Sequence, residues 1–424
     1  MLVPAERDPQ SLMICDLTQS WSETGGGIGT YIRRKRRHIL EKTPHHHLLI
    51  VPGPADDIVV SDEGRAITAY IKSPLVPKRT NYRLLLRNRK VREVLADYRP
   101  DLIECQDAYN LPWQALKHAK KHAGTATVGG YCTDFPTVYI EHTLRDWKWP
   151  GEGVAKWGGR VAYRYCKRLY SKFDAVYAMS EHGGGKRLRE LGVGRVHRMH
   201  RGVDRHTFHP DRRSDEKRAL VGAGPDTPLF IYVGRLDQEK GADLVVDAFT
   251  RLPKELGARL IMFGDGPLRD EIDAMGREFP VRACGYVADR AKLAEWQASA
   301  DLFLSGMAHE TFGISTLEAQ ACGLPVVGVR AGAMIDRVPP EAGSLAEPGN
   351  PEALKDAILH VWNGDREAMS RNARALAESF SWDAAMSRLF DKIYPAAFRR
   401  AAARAKIAGV QPSIGALSMI ERAG

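Results

Sequence analysis

Short apolar runs alternate with amphipathic stretches along almost the whole chain, and few folds accommodate that alternation. A run too short to be a buried helix, followed by a stretch with a period of 3.6 residues, is the pattern of a parallel βαβ unit. In the first half the pattern predicts strands at 12–17, 47–51, 102–104, 126–131, 175–178 and 196–200. Helices fit between them at 31–41, 82–97, 113–122 and 155–170. In the second half strands are predicted at 229–233, 259–263, 281–284, 302–305 and 326–328, and helices at 242–251, 267–278, 291–298, 315–321 and 351–363. At 424 residues the chain exceeds one compact core. The expected fold is α/β, with two facing doubly wound, Rossmann-like domains and the active site in the cleft between them. The turn Phe208-His209-Pro210-Asp211 sets the boundary: one domain over 1–209, a second over 210–385. Residues 386–424 are expected to form a helix packing back on the first domain, ending in a frayed tail from Gln411.

Composition narrows the class further. With 44 % hydrophobic and 27 % charged residues the chain is neither disordered nor fibrous. No apolar stretch approaches the roughly 20 residues a membrane-spanning helix needs. The start, Met1 to Arg7, shows no cationic segment followed by an apolar run, which sets the expectation of a cytoplasmic protein. The six cysteines are scattered without a C-x-x-C pair, which speaks against zinc and against a disulfide framework. His45-His46-His47 has the choice between a metal-catching run and a solvated turn at the start of a strand. The net charge of +10 is concentrated in the first half, as in Arg33-Arg34-Lys35-Arg36-Arg37 and between Lys78 and Arg92. A basic half suits nucleic acid, anionic lipid or a polyanionic substrate.

Three segments carry chemistry. The sequence lacks a G-x-x-x-x-G-K-[ST] loop, a G-x-G-x-x-G after the first strand and a G-x-S-x-G elbow. The first positive signal is Gly25-Gly26-Gly27-Ile28-Gly29-Thr30, between a predicted strand and helix, where glycines let the backbone approach a phosphate. A plain flexible turn is the alternative. The second is Gly234-Arg235-Leu236-Asp237-Gln238-Glu239-Lys240-Gly241, directly after a strand, whose two cations can grip a diphosphate or simply be solvated. The third is Glu310-Thr311-Phe312-Gly313-Ile314-Ser315-Thr316-Leu317-Glu318. It places one glutamate in a loop and another a turn into the next helix, both suited to accepting bonds from sugar hydroxyls.

Together with Gly264-Asp265-Gly266-Pro267-Leu268 and Glu318-Ala319-Gln320-Ala321-Cys322-Gly323-Leu324-Pro325-Val326-Val327, these segments resemble the donor half of a retaining GT-B glycosyltransferase of family 4. The order and spacing match over residues 229–347, and weaker matches run through the Gly25 loop and Arg201-Gly202-Val203-Asp204. The resemblance implies an N-terminal acceptor domain and a C-terminal nucleotide-sugar domain. It implies that Arg235 and Lys240 neutralise the leaving diphosphate, that Glu310 holds hydroxyls of the transferred sugar, and that Glu318 binds the ribose. Donor contacts at Gly25, Gly26, Gly27, Gly234, Gly264, Phe312, Gly313, Ile314 and Ser315 follow, with 282–286 beside the base. The anomeric configuration is retained, and neither a metal nor another cofactor is needed, because protein cations and helix dipoles stabilise the leaving charge.

The segment Tyr131-Cys132-Thr133-Asp134-Phe135-Pro136 is similar to a Tyr-His-Thr-Asp-Phe-Pro stretch of related enzymes, many acting on lipid acceptors. Cys132 stands where their histidine faces the donor sugar, and a thiol bonds weakly. Cys132, Asp134 and His142 are therefore candidate sugar-facing or acceptor residues. The expected reaction is transfer of a hexose from UDP-hexose or GDP-mannose to a glycolipid or lipid-linked saccharide. The basic first half, including Arg83, Arg87 and Lys90 on the helix ending at Asp97, would meet anionic lipid at the inner membrane face. The Arg33–Arg37 run and Arg145-Asp146-Trp147-Lys148-Trp149 would add to it. Two alternatives share the observations: a nucleotide-sugar epimerase or phosphorylase of the same architecture, and a non-enzymatic basic binder of membrane or nucleic acid. No nucleic-acid-binding motif supports the last of these.

Overall fold

A computed structural model describes residues 7–21, 27–76, 79–141, 144 and 152–422. The chain divides into two compact units. One contains the described residues up to Met179, Gly184–Met199, and those from Asp383 onward; the other contains Ser180–Gly183 and His200–Trp382.

The first unit is built on strands β1 (Met13–Leu17), β2 (His46–Gly53), β3 (Asp57–Ser61), β4 (Ala66–Lys72), β5 (Leu75–Val76), β6 (Arg79–Arg83), β7 (Leu102–Cys105), β8 (Ala126–Tyr131), β9 (Ala175–Ala178) and β10 (Val196–Arg198). Eight of these form one sheet in the order β10-β9-β8-β7-β1-β2-β4-β3, parallel except for the edge strand β3. Its main helices are α1 (Gly27–Lys42), α2 (Asn88–Tyr98), α3 (Leu111–Lys121) and α4 (Glu152–Tyr170). Helices on both faces explain why the central strands read as continuous apolar runs, with Ile14 beside His47 and Leu102 and no exposure. The helix expected from residue 82 begins only at Asn88. Residues 79–83 instead pair with β5 as a hairpin. Arg83 is held there, donating to the Ser73 carbonyl at 2.9 Å and accepting from Gln19 at 2.8 Å.

The second unit contains β11 (Leu229–Val233), β12 (Arg259–Phe263), β13 (Val281–Gly285), β14 (Leu302–Leu304), β15 (Val326–Val329) and β16 (Gly343–Ala346), with α5 (Ala242–Thr250) and α6 (Ile314–Ala321) among its helices. The order is β13-β12-β11-β14-β15-β16, all parallel. Successive residues feed opposite cores, as side chains alternate across a strand. Phe230 and Leu260 pack on one face, Ile231 and Ile261 on the other. The strand order reverses between β11 and β14. The carboxyl ends of these two strands therefore mark the usual ligand position of a doubly wound sheet.

The chain then returns to the first unit through α7 (Tyr394–Ile407). Tyr394 enters a buried polar cluster beneath β1 and β7. Lys35 donates to Asp16 at 2.7 Å and to Glu104 at 2.8 Å, and all three side chains are fully buried. Glu104 also accepts from the hydroxyls of Tyr31, Tyr177 and Tyr394 at 2.8, 2.7 and 2.6 Å. Two of the sequence expectations change here. Lys35, in the middle of the Arg33–Arg37 run, faces the core instead of a lipid surface, because two buried carboxylates require a cation. His47 is likewise no solvated turn residue. Arg36 donates to its Nδ1 at 2.7 Å, so its Nε2 carries the proton toward Asp16 at 2.8 Å. Burial holds the His47 pKa down at about 4, despite Asp16 pulling the other way. Burial pushes Asp16 up, but Lys35 and His47 outweigh it and bring its pKa to about 2.

Among the described residues no helix is long and apolar enough to cross a membrane.

Candidate active site

The two strands flanking the reversal deliver the candidate residues of the second unit. Arg235 and Lys240 lie in the loop from β11 to α5, and Glu310 lies in the loop from β14 to α6. These loops touch through two glycines. A methyl on Gly241, whose φ is +64°, would come within 2.4 Å of the Gly306 carbonyl oxygen. Beside that crossing, Lys240 Nζ approaches Glu310 Oε2 at 3.5 Å and Met307 Sδ at 2.9 Å. Arg235 projects on the same loop, half-exposed, and its guanidinium meets Asp237 and Glu239, each at 2.6 Å. Tyr232 buttresses the loop from below by donating to the Arg235 carbonyl at 2.8 Å.

Glycines also bring the β12 loop under this one. A methyl on Gly264 would lie 1.8 Å from the Gly234 carbonyl oxygen, and the Leu236 N–H donates to the Asp265 carbonyl at 3.1 Å. Gly234 and Gly264 thus act through backbone fit, and their close approach presents the loop carrying Arg235 at the sheet's carboxyl edge.

On the other side, Glu310 is tied to its own loop. Its Oε1 accepts from the N–H groups of Thr311 and Phe312 at 3.2 and 3.3 Å. Burial raises the Glu310 carboxyl, but the Lys240 charge and the Gly313 and Phe312 N–H groups more than compensate and leave it below the usual range. It is an anion at neutral pH. Gly313, at φ +78°, caps α6, so the first N–H groups of Ile314 and Ser315 have no intrahelical acceptor and form a positive pole. Phe312 is fixed by Arg337, which donates to its carbonyl at 2.8 Å and stacks between the rings of Phe312 and Phe380 at 4.2 Å each.

Glu318 sits one turn further along α6, almost fully buried, and pairs with Arg290. Arg290 in turn lies over the Phe208 ring at 4.9 Å. Burial pushes the Glu318 carboxyl up to about 7, with Arg290 opposing it. A carboxyl poised at that value is readily switched by a neighbouring charge or hydroxyl.

The structure therefore brings Gly234, Arg235, Lys240, Gly264, Glu310, Phe312, Gly313, Ile314, Ser315 and Glu318 into one unit, around one reversal point. The remaining candidates lie in the first unit or beyond the described residues. Gly25, Gly26 and His142 are outside the described residues, and Gly27 opens α1. The Arg145–Trp149 segment lies outside as well. Cys132 follows β8, almost fully buried, its sulfur 4.0 Å from the Tyr177 hydroxyl that reaches Glu104. Asp134 accepts from Tyr131 at 2.7 Å and from Tyr163 at 2.9 Å, which joins the loop after β8 to α4.

Sequence inspection misses three contributors to this unit's site, Met307, Arg290 and Arg337, and one buried carboxyl of the first unit, Asp107. Asp107 follows β7 at the first unit's own reversal, accepting from Gln19 N at 2.6 Å and Thr18 Oγ1 at 3.1 Å. Burial raises its pKa to about 6, against the N–H donors that lower it. Its place after a strand that borders the reversal was the available signal. For Arg290 and Arg337 there was none, since each meets its partner only through the tertiary fold. No three His, Cys, Asp or Glu residues converge as a metal site among the described residues.

Two family models match the two halves of the chain. The model of the family described as "Glycosyltransferase Family 4" matches residues 25–207, and that of "Glycosyl transferases group 1" matches residues 227–364. A GDP-mannose-dependent alpha-(1-6)-phosphatidylinositol dimannoside mannosyltransferase of Mycobacterium tuberculosis is 28% identical over 380 residues, covering 88% of this chain and 94% of that protein. A D-inositol 3-phosphate glycosyltransferase of Xylanimonas cellulosilytica is 32% identical over 292 residues, covering 64% of this chain and 69% of that protein. Among solved structures, the sucrose-phosphate synthase of Thermosynechococcus elongatus superposes with a TM-score of 0.71 at 20% identity, covering 91% of this chain and 100% of that one.

Proposed function

The chain belongs to the family 4 glycosyltransferases of the GT-B fold, and from that membership we propose that it is a retaining hexosyltransferase. Its donor is a nucleoside-diphosphate hexose, GDP-mannose before UDP-hexose, and its acceptor is a hydroxyl of a glycolipid or lipid-linked saccharide at the inner membrane face. The relatives named for GDP-mannose and a phosphatidylinositol mannoside support that choice. The observation that carries the reading is the pairing of Lys240 with Glu310 across the β11–β14 reversal, with Arg235 on the same loop.

A diphosphate seated there would meet two cations and the positive pole of α6 before any bond breaks. Lys240 supplies a point charge and Arg235 a planar fork, so the charge that develops on the departing phosphate is neutralised by fixed groups. The same cations make a metal unnecessary in this reading. Glu310, held ionised by Lys240 and its loop N–H groups, accepts from hydroxyls of the sugar. Glu318 accepts from the ribose, taking the place that Arg290 holds. The acceptor oxygen then bonds to the anomeric carbon on the face from which the diphosphate leaves, and a diphosphate oxygen takes its proton. Retention follows from that shared face.

The test is release of nucleoside diphosphate from a panel of sugar nucleotides, with and without a bacterial lipid extract. Release from one donor, increased by lipid, supports the assignment. A free isomerised sugar nucleotide formed without acceptor would replace it by epimerisation.

A further inference from the structure

Helix α4 carries an exposed apolar ridge with a row of cations beside it. Val154, Trp157 and Val161 form a ridge at i, i+3 and i+7, with 39, 58 and 41 % of their surfaces open to solvent. Arg160, Arg164 and Lys167 form a second, parallel row beside it, and all three are exposed. The opposite face is anchored: Ala155, Ala162, Cys166 and Leu169 are buried, and Tyr163 bonds Asp134. From Gly153 to Phe173 the sequence contains no acidic residue. Among the described residues no carboxylate pairs with Arg160, Arg164 or Lys167.

The basic helix α2 differs on this point. Most of its cations face a carboxylate: Arg87 at its N-terminus meets Asp56 at 2.6 Å, and Arg89 and Lys90 share Glu93 at 3.1 and 3.6 Å, while Arg92 donates to the Gln114 side-chain carbonyl at 2.8 Å. An apolar ridge with tryptophan at its centre, flanked by an unneutralised row of cations, matches one partner chemistry. Valine and tryptophan side chains enter the boundary between headgroups and acyl chains, while the longer cationic stems reach anionic phosphates. A protein partner would need a complementary acidic groove; a bilayer of anionic lipid presents both layers at once.

We propose that the outer face of α4 docks the protein on an anionic lipid bilayer, through Trp157 and the row Arg160, Arg164 and Lys167. This deepens the reading of a lipid-borne acceptor and rests on it for its purpose. Its test does not.

The full chain is sedimented with vesicles of phosphatidylcholine, with and without phosphatidylglycerol. Binding is expected only with phosphatidylglycerol. Arg160→Gln with Arg164→Gln should weaken it about 25-fold, or about fivefold for each cation near the surface. Trp157→Ser should weaken binding at high salt as well as low, because its contribution is apolar. Arg87→Gln with Lys90→Gln on α2 should change it by less than about twofold, since those charges are already paired. Thermal melting shows that each variant is folded, and slow donor hydrolysis into water reports the donor site without lipid. Unchanged vesicle binding in folded α4 variants would overturn the proposal. So would a self-association of the wild type that the same α4 substitutions abolish, since the face would then join two copies.

Discussion

Gly241 and Gly306 meet backbone to backbone, so that a methyl on either would lie within 2.4 Å of the other's carbonyl oxygen. This crossing sets the distance between the loops that carry Lys240 and Glu310. Gly306 has no need of the left-handed region, so Gly306→Ala tests space alone. It should cost the second unit about 1–3 kcal/mol through overpacking. Nucleotide binding should fall with it, because the Lys240–Glu310 pair is pulled apart. Titration with a nucleoside diphosphate beside a thermal melt checks both, and a variant with native affinity would show that the loops are positioned by something else.

Arg235→Ala combined with Lys240→Ala should lower nucleoside-diphosphate release by at least about a hundredfold, the loss typical of removing fixed charge stabilisation. The fold should persist, since both side chains are partly exposed at the carboxyl edge of the sheet. Turnover near that of the wild type, in a folded double variant, would refute the assignment of the leaving-group site.

Glu310→Gln separates sugar from phosphate. The amide keeps the shape but loses the anion that Lys240 faces. We expect affinity for the bare nucleoside diphosphate to stay within a few fold of the wild type, and kcat to fall about 10- to 100-fold, as for loss of one charged hydrogen-bonding partner. Isothermal titration and initial rates distinguish the two effects. Equal losses in both would place Glu310 in general site architecture.

Arg290 restrains a carboxyl that burial has raised to about 7. Ribose hydroxyls donate to the ionised form, so donor affinity should increase as pH rises through about 7. Arg290→Gln removes the opposing charge, pushes Glu318 further up, and should move that rise to higher pH. Donor affinity measured between pH 6 and 9 reads the midpoint directly. A profile that does not move would mean Arg290 has no hold on Glu318.

His47 is neutral in the fold, with a pKa near 4 against 6.5 when unfolded. The unfolded chain therefore binds the extra proton first, and the stabilisation from this group is full above pH 6.5 and lost as pH falls toward 4. The linked loss is at most about 3 kcal/mol. Asp107, raised to about 6, works in the opposite direction over part of that range. Comparison with His47→Gln isolates the histidine. The stability advantage of the wild type in urea melts should shrink between pH 6.5 and 4, whereas a constant difference would count against the neutral buried state.

Elements buried on both faces were legible in the sequence. β11 and β12 occupy the residues expected of them, and α6 differs from its expected start by one residue. Their apolar runs are dictated by a two-sided core, and the flanking glycines mark where the strands stop. β3 carries no such imprint, because all five of its residues are exposed and nothing forces an alternation. β16, Gly-Ser-Leu-Ala, is too short and too plain to declare itself. In the site, residues that follow the two central strands were found, because the chain itself places them there. Arg290, Arg337 and the buried Lys35 were not. A cation's partners lie at distances along the chain that only folding closes, and Lys35 within a run of five bases looks like a surface residue.

The buried bonds of Tyr394 to Lys35 and Glu104 impose an order on how the protein is made. Lys35 and Glu104 leave the ribosome early, yet the hydroxyl that completes their cluster emerges after the entire second unit. At about 5–20 residues per second, the interval between Met199 and Tyr394 is roughly 10–40 s. Throughout that time the cluster beneath β1 and β7 stands without the Tyr394 hydroxyl, and Lys35 and Glu104 lack that partner while the second unit is made. Late truncations that remove α7 would consequently damage the half of the molecule that was synthesised first.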